Sequence, residues 1–226
     1  MAQVNDKPQW RFKGPEMEGP IARWYTRLRS SGSQMEEYRR QASRLTDGLP
    51  TGTAVLEVAP GPGYLAIEMA RTGRCRVIGL DISRTFVEIA TENARQAAVG
   101  ADFRRGDVAN LPFEAESFDL VVCQAAFKNF AQPVRALDEM HRVLRGGGTA
   151  VIQDMNRDTT KAAIDEEVKG AQLGWLNAFM MKRSLTMLRR RAYSPAQFER
   201  LAAASAFGTC EIQAAGIGME VRLKKR

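Results

Sequence analysis

The run Val55–Ala70, VLEVAPGPGYLAIEMA, restricts the fold more than any other part of the chain. Val55–Val58 is mostly apolar and β-branched, which suits a strand. From Tyr64 onward the apolar residues recur at helical spacing. Between the two lies a short turn with Gly61 and Gly63. A strand, a glycine turn and a helix open a nucleotide-binding α/β unit. A core that begins this way continues by alternation, because the next parallel strand is reached only through a crossover.

The rest of the sequence keeps that rhythm. Ala54–Val58, Arg76–Leu80, Asp102–Arg105, Phe118–Cys123 and Thr149–Gln153 read as strands. Tyr64–Arg71, the segment from the N-cap Ser83 to Ala98, and Pro133–Leu144 read as helices. Ser194-Pro195 starts another helix, to about Ala204. Residues 209–225 read as two short strands around Gly216–Gly218. The expected fold is an α/β sheet of seven strands, mostly parallel, with a reversed C-terminal strand and helices on both faces. One domain, 1–226, is expected. Within it 1–46 is an N-terminal arm or lid, 47–155 the ligand-binding core, 156–192 an inserted helical cap, and 193–226 the last helix and hairpin. A helix is expected over Gln34–Leu45. Residues 1–33 carry Pro8, Pro15 and Pro20 without clean periodicity and read as an irregular arm. Its aromatics Trp10, Phe12, Trp24 and Tyr25 suit docking on the body or over a ligand.

Gly61-Pro62-Gly63-Tyr64-Leu65-Ala66 satisfies the dinucleotide pattern, and Asp81 follows Gly61 by 20 residues, the spacing of an acidic residue that grips ribose hydroxyls. Two features turn the reading away from a pyrophosphate. Pro60 and Pro62 have no N–H to offer a phosphate. Glu57, just before the turn, would repel a pyrophosphate and favour a cation. S-adenosylmethionine has an ammonium, a sulfonium and a ribose.

Glu57–Gly63, EVAPGPG, resembles the glycine motif of class I S-adenosylmethionine-dependent methyltransferases. The likeness continues through VIGLDIS, GDVANLPF, FDLVVCQAAF and HRVLRGGG over about residues 50–153. It is nearest the small-molecule branch that includes quinone-biosynthesis methyltransferases, and it implies a Rossmann-like fold. It further implies that Glu57 and the backbone of Ala59, Gly61 and Gly63 line the methionine and ribose side. Asp81 would take the ribose hydroxyls, with Ile82 against adenine. Asp107 would accept from the adenine amino group beside the Val108 backbone, although alone it could simply start a turn. Gln124 would lie near the methyl donor, and S-adenosylhomocysteine would be the product. Ala59 departs from the family, standing where a first glycine is usual.

Catalysis is less legible. Relatives often carry two histidines where this chain has Lys128 and Asn129, which points away from a histidine base. Lys128 could orient an anion, act as a desolvated base, or be a solvated loop residue. Asp154 could bond an acceptor or cap the next helix. The single histidine, His141, reads as a helix-face residue. Leu173, Trp175, Leu176, Phe179, Met180, Met187 and Leu188 form stripes that read first as core and second as an adaptable surface for a bulky apolar acceptor. Tyr25, Phe127, Asp154, Phe179 and Met180 are the candidate substrate residues, Lys128 and Asn129 the candidate catalytic ones.

Composition narrows the class. No run of 18 apolar residues exists, so no stable membrane insertion is expected, and the N-terminus lacks a secretory h-region. Cys75, Cys123 and Cys210 form no zinc pattern, so no metal is expected, and they suit a reducing cytoplasm. The net charge is +7, but the basic residues are not interleaved with aromatics as an RNA-binding appendage would have them. A small-molecule substrate is therefore favoured over nucleic acid. The alternatives are a nonenzymatic binder of S-adenosylmethionine or S-adenosylhomocysteine, a methyltransferase acting on RNA or protein, and an NAD(P) oxidoreductase. Nothing in the sequence sets the oligomeric state.

Overall fold

The computed structural model describes residues 17–171 and 174–226; Trp10, Phe12 and Leu173 lie outside them. A seven-stranded sheet carries the molecule, in the spatial order β3-β2-β1-β4-β5-β7-β6. β1 (Thr53–Val58), β2 (Cys75–Asp81), β3 (Ala101–Arg105), β4 (Phe118–Gln124) and β5 (Leu144–Met155) are parallel. β6 (Glu211–Ala215) and β7 (Gly218–Lys224) form a hairpin, and β7 enters antiparallel between β5 and β6. This is the expected Rossmann-like sheet with its reversed end.

Two apolar layers hold it. α2 (Gly32–Thr46), α3 (Tyr64–Arg71) and α4 (Arg84–Gln96) cover one face through Tyr38, Ala42, Leu65 and Ala90 on Val55, Val77 and Val122. α5 (Pro133–Val143) and α8 (Pro195–Ala203) cover the other through Leu137, Met140 and Phe198 on Leu56, Val121 and Val221. Every residue of β1 is buried, as a central strand covered on both faces requires. Burying a side chain such as Leu56 contributes about 1.5–3 kcal/mol.

Three elements differ from the sequence reading. The N-terminal arm is not irregular after Met17: α1 (Gly19–Arg29) is a helix with Pro20 in its first turn, where a missing N–H does no harm. β5 is longer than expected and runs through Gly146–Gly148. A Cβ at Gly148 would come within 3.0 Å of the Asp119 carbonyl, so glycine permits this close strand approach. The segment 156–192, expected as a helical cap, holds two helices, α6 (Lys161–Gly170) and α7 (Trp175–Arg191), and α7 buries none of its residues. Trp175, Leu176, Phe179, Met180 and Met187 are exposed rather than core. The helix pair is inserted outside the two layers, so only one side of α7 has a neighbour.

Candidate active site

In an open α/β sheet the ligand crevice lies at the carboxyl ends of the strands, where the strand order reverses. Here that point falls between β1 and β4. The Ala59 N–H donates to the Leu80 carbonyl at 2.8 Å, and the Gly63 N–H to the Pro60 carbonyl at 3.0 Å, closing the turn. The two glycines do different work. A Cβ at Gly63 would sit 2.8 Å from Ala90 Cβ and Phe103 Cζ, so this glycine lets α3 pack down on the sheet. A Cβ at Gly61 would meet nothing within 4 Å, which leaves the backbone bare toward the crevice. Ala59 holds a left-handed φ of 54°, a conformation that favours glycine.

Glu57 projects from β1 at this point, on the face covered by α2, α3 and α4. It is 2% exposed, and its Oε2 has no hydrogen-bond partner. Burial pushes its pKa up to about 8; the Ala66 N–H pulls the other way, and the Asp81 charge adds to the rise. A buried, orphaned carboxylate oxygen is costly unless a donor or cation reaches it. Asp81, at the end of β2, accepts from the Gly61 N–H at 3.0 Å and from the Ser83 N–H at 2.9 Å. Its burial still lifts it to about 6. Ile82 follows it, half-buried. Asp107 caps its own turn, its Oδ1 accepting from the Ala109 N–H at 2.9 Å, with Val108 packed at the core edge. Gln124 ends β4 with its amide bonded to Gln41 of α2.

Several residues of this site escaped the sequence reading. α1 is fastened at both ends. At one end Glu18 accepts from the Arg84 and Thr85 N–H groups, at 2.8 and 3.0 Å, at the start of α4. Burial raises the Glu18 pKa, but bonds from Thr85 and Arg84 outweigh it and hold it below the usual carboxylate range. At the other end Arg29 Nε donates to the Tyr38 hydroxyl at 2.9 Å, with the guanidinium 5.5 Å from that ring's centroid. The Tyr25 ring meets Phe86 edge-on at 5.9 Å. Tyr38 also feels the Glu57 charge, which helps to raise its pKa after burial, the larger cause. Arg29 and Glu57, of opposite charge, thus approach the same tyrosine. The signal for α1 was present: Ile21, Trp24, Tyr25 and Leu28 recur at helical spacing.

Beyond Gln124 the chain turns through Ala125, at φ 56°, into a 3-10 turn over Phe127–Asn129. Lys128 is neither solvated nor a free base. Its ammonium pairs with Asp154 Oδ1 at 2.7 Å, its N–H donates to Asp154 Oδ2 at 3.0 Å, and both side chains are 5% exposed. Asp154 is spent on this turn, and Thr160 caps the next helix instead. Asn129 is half-buried, its N–H closing the turn on the Ala126 carbonyl. Phe127 is fully buried among Phe130, Tyr193 and Phe198, inside the core. Phe179 and Met180 stand out into solvent on α7. His141 lies on α5, its ring 5.0 Å from Phe207, away from the crevice. A hollow of about 500 Å³ lined by Ala54, Phe113, Phe118 and Arg145 lies at the opposite, amino edge of the sheet. It is open because no helix joins β3 to β4, and none of the site residues above line it.

Residues 56–152 match a protein-family model described as a methyltransferase domain. Over those residues, fewer than half of the chain, the protein is similar to a methyltransferase domain. A demethylmenaquinone methyltransferase of Deinococcus radiodurans is 37% identical over 99 residues, which cover 43% of this chain and 41% of that one. A phthiotriol/phenolphthiotriol dimycocerosates methyltransferase of Mycobacterium tuberculosis is 34% identical over 141 residues, 62% of this chain and 50% of that one. The chain thus spans about half the length of the curated relatives it matches. The solved structure of an S-adenosylmethionine-dependent methyltransferase from Aquifex aeolicus shares the fold, with a TM-score of 0.68 at 15% identity, over 91% of this chain and 98% of that one. The crevice has groups that S-adenosylmethionine would suit: an orphaned carboxylate for an ammonium, an acidic residue for a ribose, and a bare glycine between them.

Proposed function

We propose that this chain binds S-adenosylmethionine at the glycine turn and transfers its methyl group to the oxygen, nitrogen or carbon of a small, largely apolar molecule. The observation that carries the reading is the buried, unpartnered Oε2 of Glu57, which calls for a cationic ligand at a turn that proline has stripped of phosphate donors. Glu57 would hold the ammonium and Arg29 the carboxylate of the methionine moiety. The backbone at Ala59, Gly61 and Gly63 would pass beneath it. Asp81 would take the ribose hydroxyls, and Ile82, Asp107 and Val108 would flank the adenine. Gln124, held by Gln41, would border the reacting end.

When bound, the cofactor supplies a methyl group on a sulfonium, open to in-line displacement. The chain's own contribution is then positioning and exclusion of water. Lys128 and Asp154 neutralise each other and hold the turn after β4, so neither offers a free base. Asn129 and Tyr25 remain as groups that could orient the acceptor, with α1 as a lid over the turn and α6–α7 as a cap. The quinone- and lipid-methylating relatives support an apolar acceptor. The free cysteines support a reducing cytoplasmic setting, and among the described residues no helix is long and apolar enough to cross a membrane.

Calorimetric titration with S-adenosylmethionine and with NADH tests the cofactor; tighter binding of NADH would overturn it. Methyl-labelled cofactor mixed with fractionated cell extract tests the acceptor. Label in the organic-soluble fraction supports the proposal. Label confined to RNA or protein overturns the acceptor class. Binding with no label in any fraction, including added quinols, would make the chain a nonenzymatic binder.

A further inference from the structure

Two properties of this chain fall on the same two helices. Among the described residues, the large apolar side chains most open to solvent are Ile21, Trp24 and Leu28, all on α1, and Trp175, Leu176, Phe179, Met180 and Met187, all on α7. The helices α1 (GPIARWYTRLR) and α7 (WLNAFMMKRSLTMLRRR) contain no acidic residue. Three arginines in α1 and five basic residues in α7 give +8, against +7 for the whole chain, so everything else sums to −1. The positive charge is therefore not a diffuse property of a basic protein. It is concentrated on the helices that carry the apolar surface, where Arg29 is held on Tyr38, Lys182 on Asp165, and Arg23, Arg27, Arg183 and Arg190 are exposed.

The placement is coherent. α1 is fastened to the start of α4, which follows the end of β2, and α6 and α7 follow the end of β5. Both helices thus belong to the carboxyl edge of the sheet, the edge at which the crevice opens. On α7 the half-buried residues Ala178, Met181, Leu185 and Leu188 share one side. Trp175, Leu176, Phe179, Met180 and Met187 lie on the opposite side, interspersed with Arg183 and Arg190 at helical spacing. Of the three acidic residues on α6, Asp165 pairs with Lys182 at 2.5 Å, while Glu166 and Glu167 are exposed.

We infer that the carboxyl edge of this protein docks on an anionic lipid bilayer, with α1 and α7 lying in its interface. Exposed tryptophan with aliphatic and phenylalanine side chains on a basic helix partitions into the headgroup–acyl boundary, and its arginines meet anionic headgroups. Polybasic segments gain from the negative surface potential of such a bilayer. RNA would use the arginines but gives Ile21, Leu28, Leu176 and Met180 no partner. The contact is peripheral, since neither helix spans a membrane. It does not depend on methyl transfer.

The test is co-sedimentation of the full chain with vesicles of phosphatidylcholine alone and of phosphatidylcholine with about 30% phosphatidylglycerol, with tryptophan fluorescence as a second readout. Binding to the anionic vesicles with a blue shift is expected. It should weaken at least tenfold on neutral vesicles, or in about 1 M salt, where the screening length shrinks to about 3 Å. Arg183→Gln/Arg190→Gln should lower partitioning about 30-fold. Trp175→Ala should lower it and reduce the blue shift, leaving the part that Trp24 on α1 contributes. Both sites are exposed, so calorimetric affinity for S-adenosylmethionine should be unchanged, which shows the fold intact. No binding to anionic vesicles overturns the inference, as does binding that both variants retain. A dimer that Trp175→Ala dissociates, without vesicle binding, would assign the surface to a second copy. RNA binding that survives Trp175→Ala, without vesicle binding, would assign it to nucleic acid.

Discussion

Glu57→Gln tests the crevice most directly. In the folded chain, burial raises this carboxyl from 4.5 to about 8, with Asp81 adding to the rise. In the unfolded chain it titrates at its ordinary value. Between those values the folded state keeps a proton that the unfolded state has lost. The stability from this group is therefore complete below about pH 4.5 and falls by about 1.4 kcal/mol per unit as the pH rises to about 8. Near pH 7 the penalty is on the order of 3 kcal/mol. Glutamine keeps the neutral shape and removes it. The ligand-free variant should be more stable than wild type by on the order of 3 kcal/mol near pH 7, roughly 6–12 °C in Tm, and by little near pH 4. Binding should move the other way. An ammonium needs the carboxylate, so binding expels the Glu57 proton, and wild-type affinity should rise roughly tenfold from about pH 6 to about pH 7. Over that range the ligand's amine, titrating at about 7.7–8.0, stays charged. The variant should lose this slope. A charged hydrogen bond of about 1.5–3 kcal/mol, less about 1.4 kcal/mol for ionisation, makes it up to roughly 15-fold weaker near pH 7. Thermal melts across this pH range, and calorimetry in two buffers of different ionisation heat, measure both effects. A flat wild-type affinity, together with a variant no more stabilised near pH 7 than near pH 4, would refute the reasoning.

The two glycines should separate. Gly63→Ala puts a Cβ 2.8 Å from Ala90 and Phe103 at a φ of 79° and should destabilise by about 2–4 kcal/mol. Gly61→Ala should cost about 1–2 kcal/mol from φ alone, yet weaken the cofactor more than about tenfold by filling the crevice; urea melts and calorimetry distinguish them. Lys128→Met leaves Asp154 buried and unpaired, a loss of about 3–5 kcal/mol, while Lys128→Met/Asp154→Leu should recover most of it. If the pair acts through structure, turnover per folded molecule of that double variant stays within about tenfold, and a loss of about a hundredfold would make one of them a catalytic group. Ala59→Gly relieves about 1–2 kcal/mol of left-handed strain and adds about 0.4–1 kcal/mol of unfolded-state entropy, so denaturant melts should show slight stabilisation. His141→Ala should lose about 1 kcal/mol of packing on Phe207 and keep its turnover; a loss of about a hundredfold with the fold intact would make it a base.

The parallel core was legible because its signals are local. Val55–Ala70 states a strand, a turn and a helix within one short run, and Ser83 and Ser194 announce their helices by capping bonds that form as the sequence predicts. The terminal hairpin was legible from Gly216 for the same reason. The N-terminal arm was misread because three prolines masked a helical register from Ile21 to Leu28. The α7 stripe was misread because periodicity reports an apolar face but not whether anything covers it. A stripe of Trp175, Leu176 and Phe179 reads alike over a core and over solvent.

What the sequence determined by itself was the order of elements and, on the proposed reading, the kind of ligand, since Glu57, Pro60, Pro62 and Asp81 would act through charge and missing donors within 25 residues of chain. Tertiary structure alone decided which of the charged residues are free. It brought Lys128 to Asp154, 26 residues away, and neutralised both. It brought Glu18 to Arg84 and Thr85, 66 and 67 residues away, and Arg29 of α1 to Tyr38 of α2. It left the Glu57 oxygen without a partner. Pairing and desolvation depend on distances that the fold sets, and no spacing along the chain encodes them.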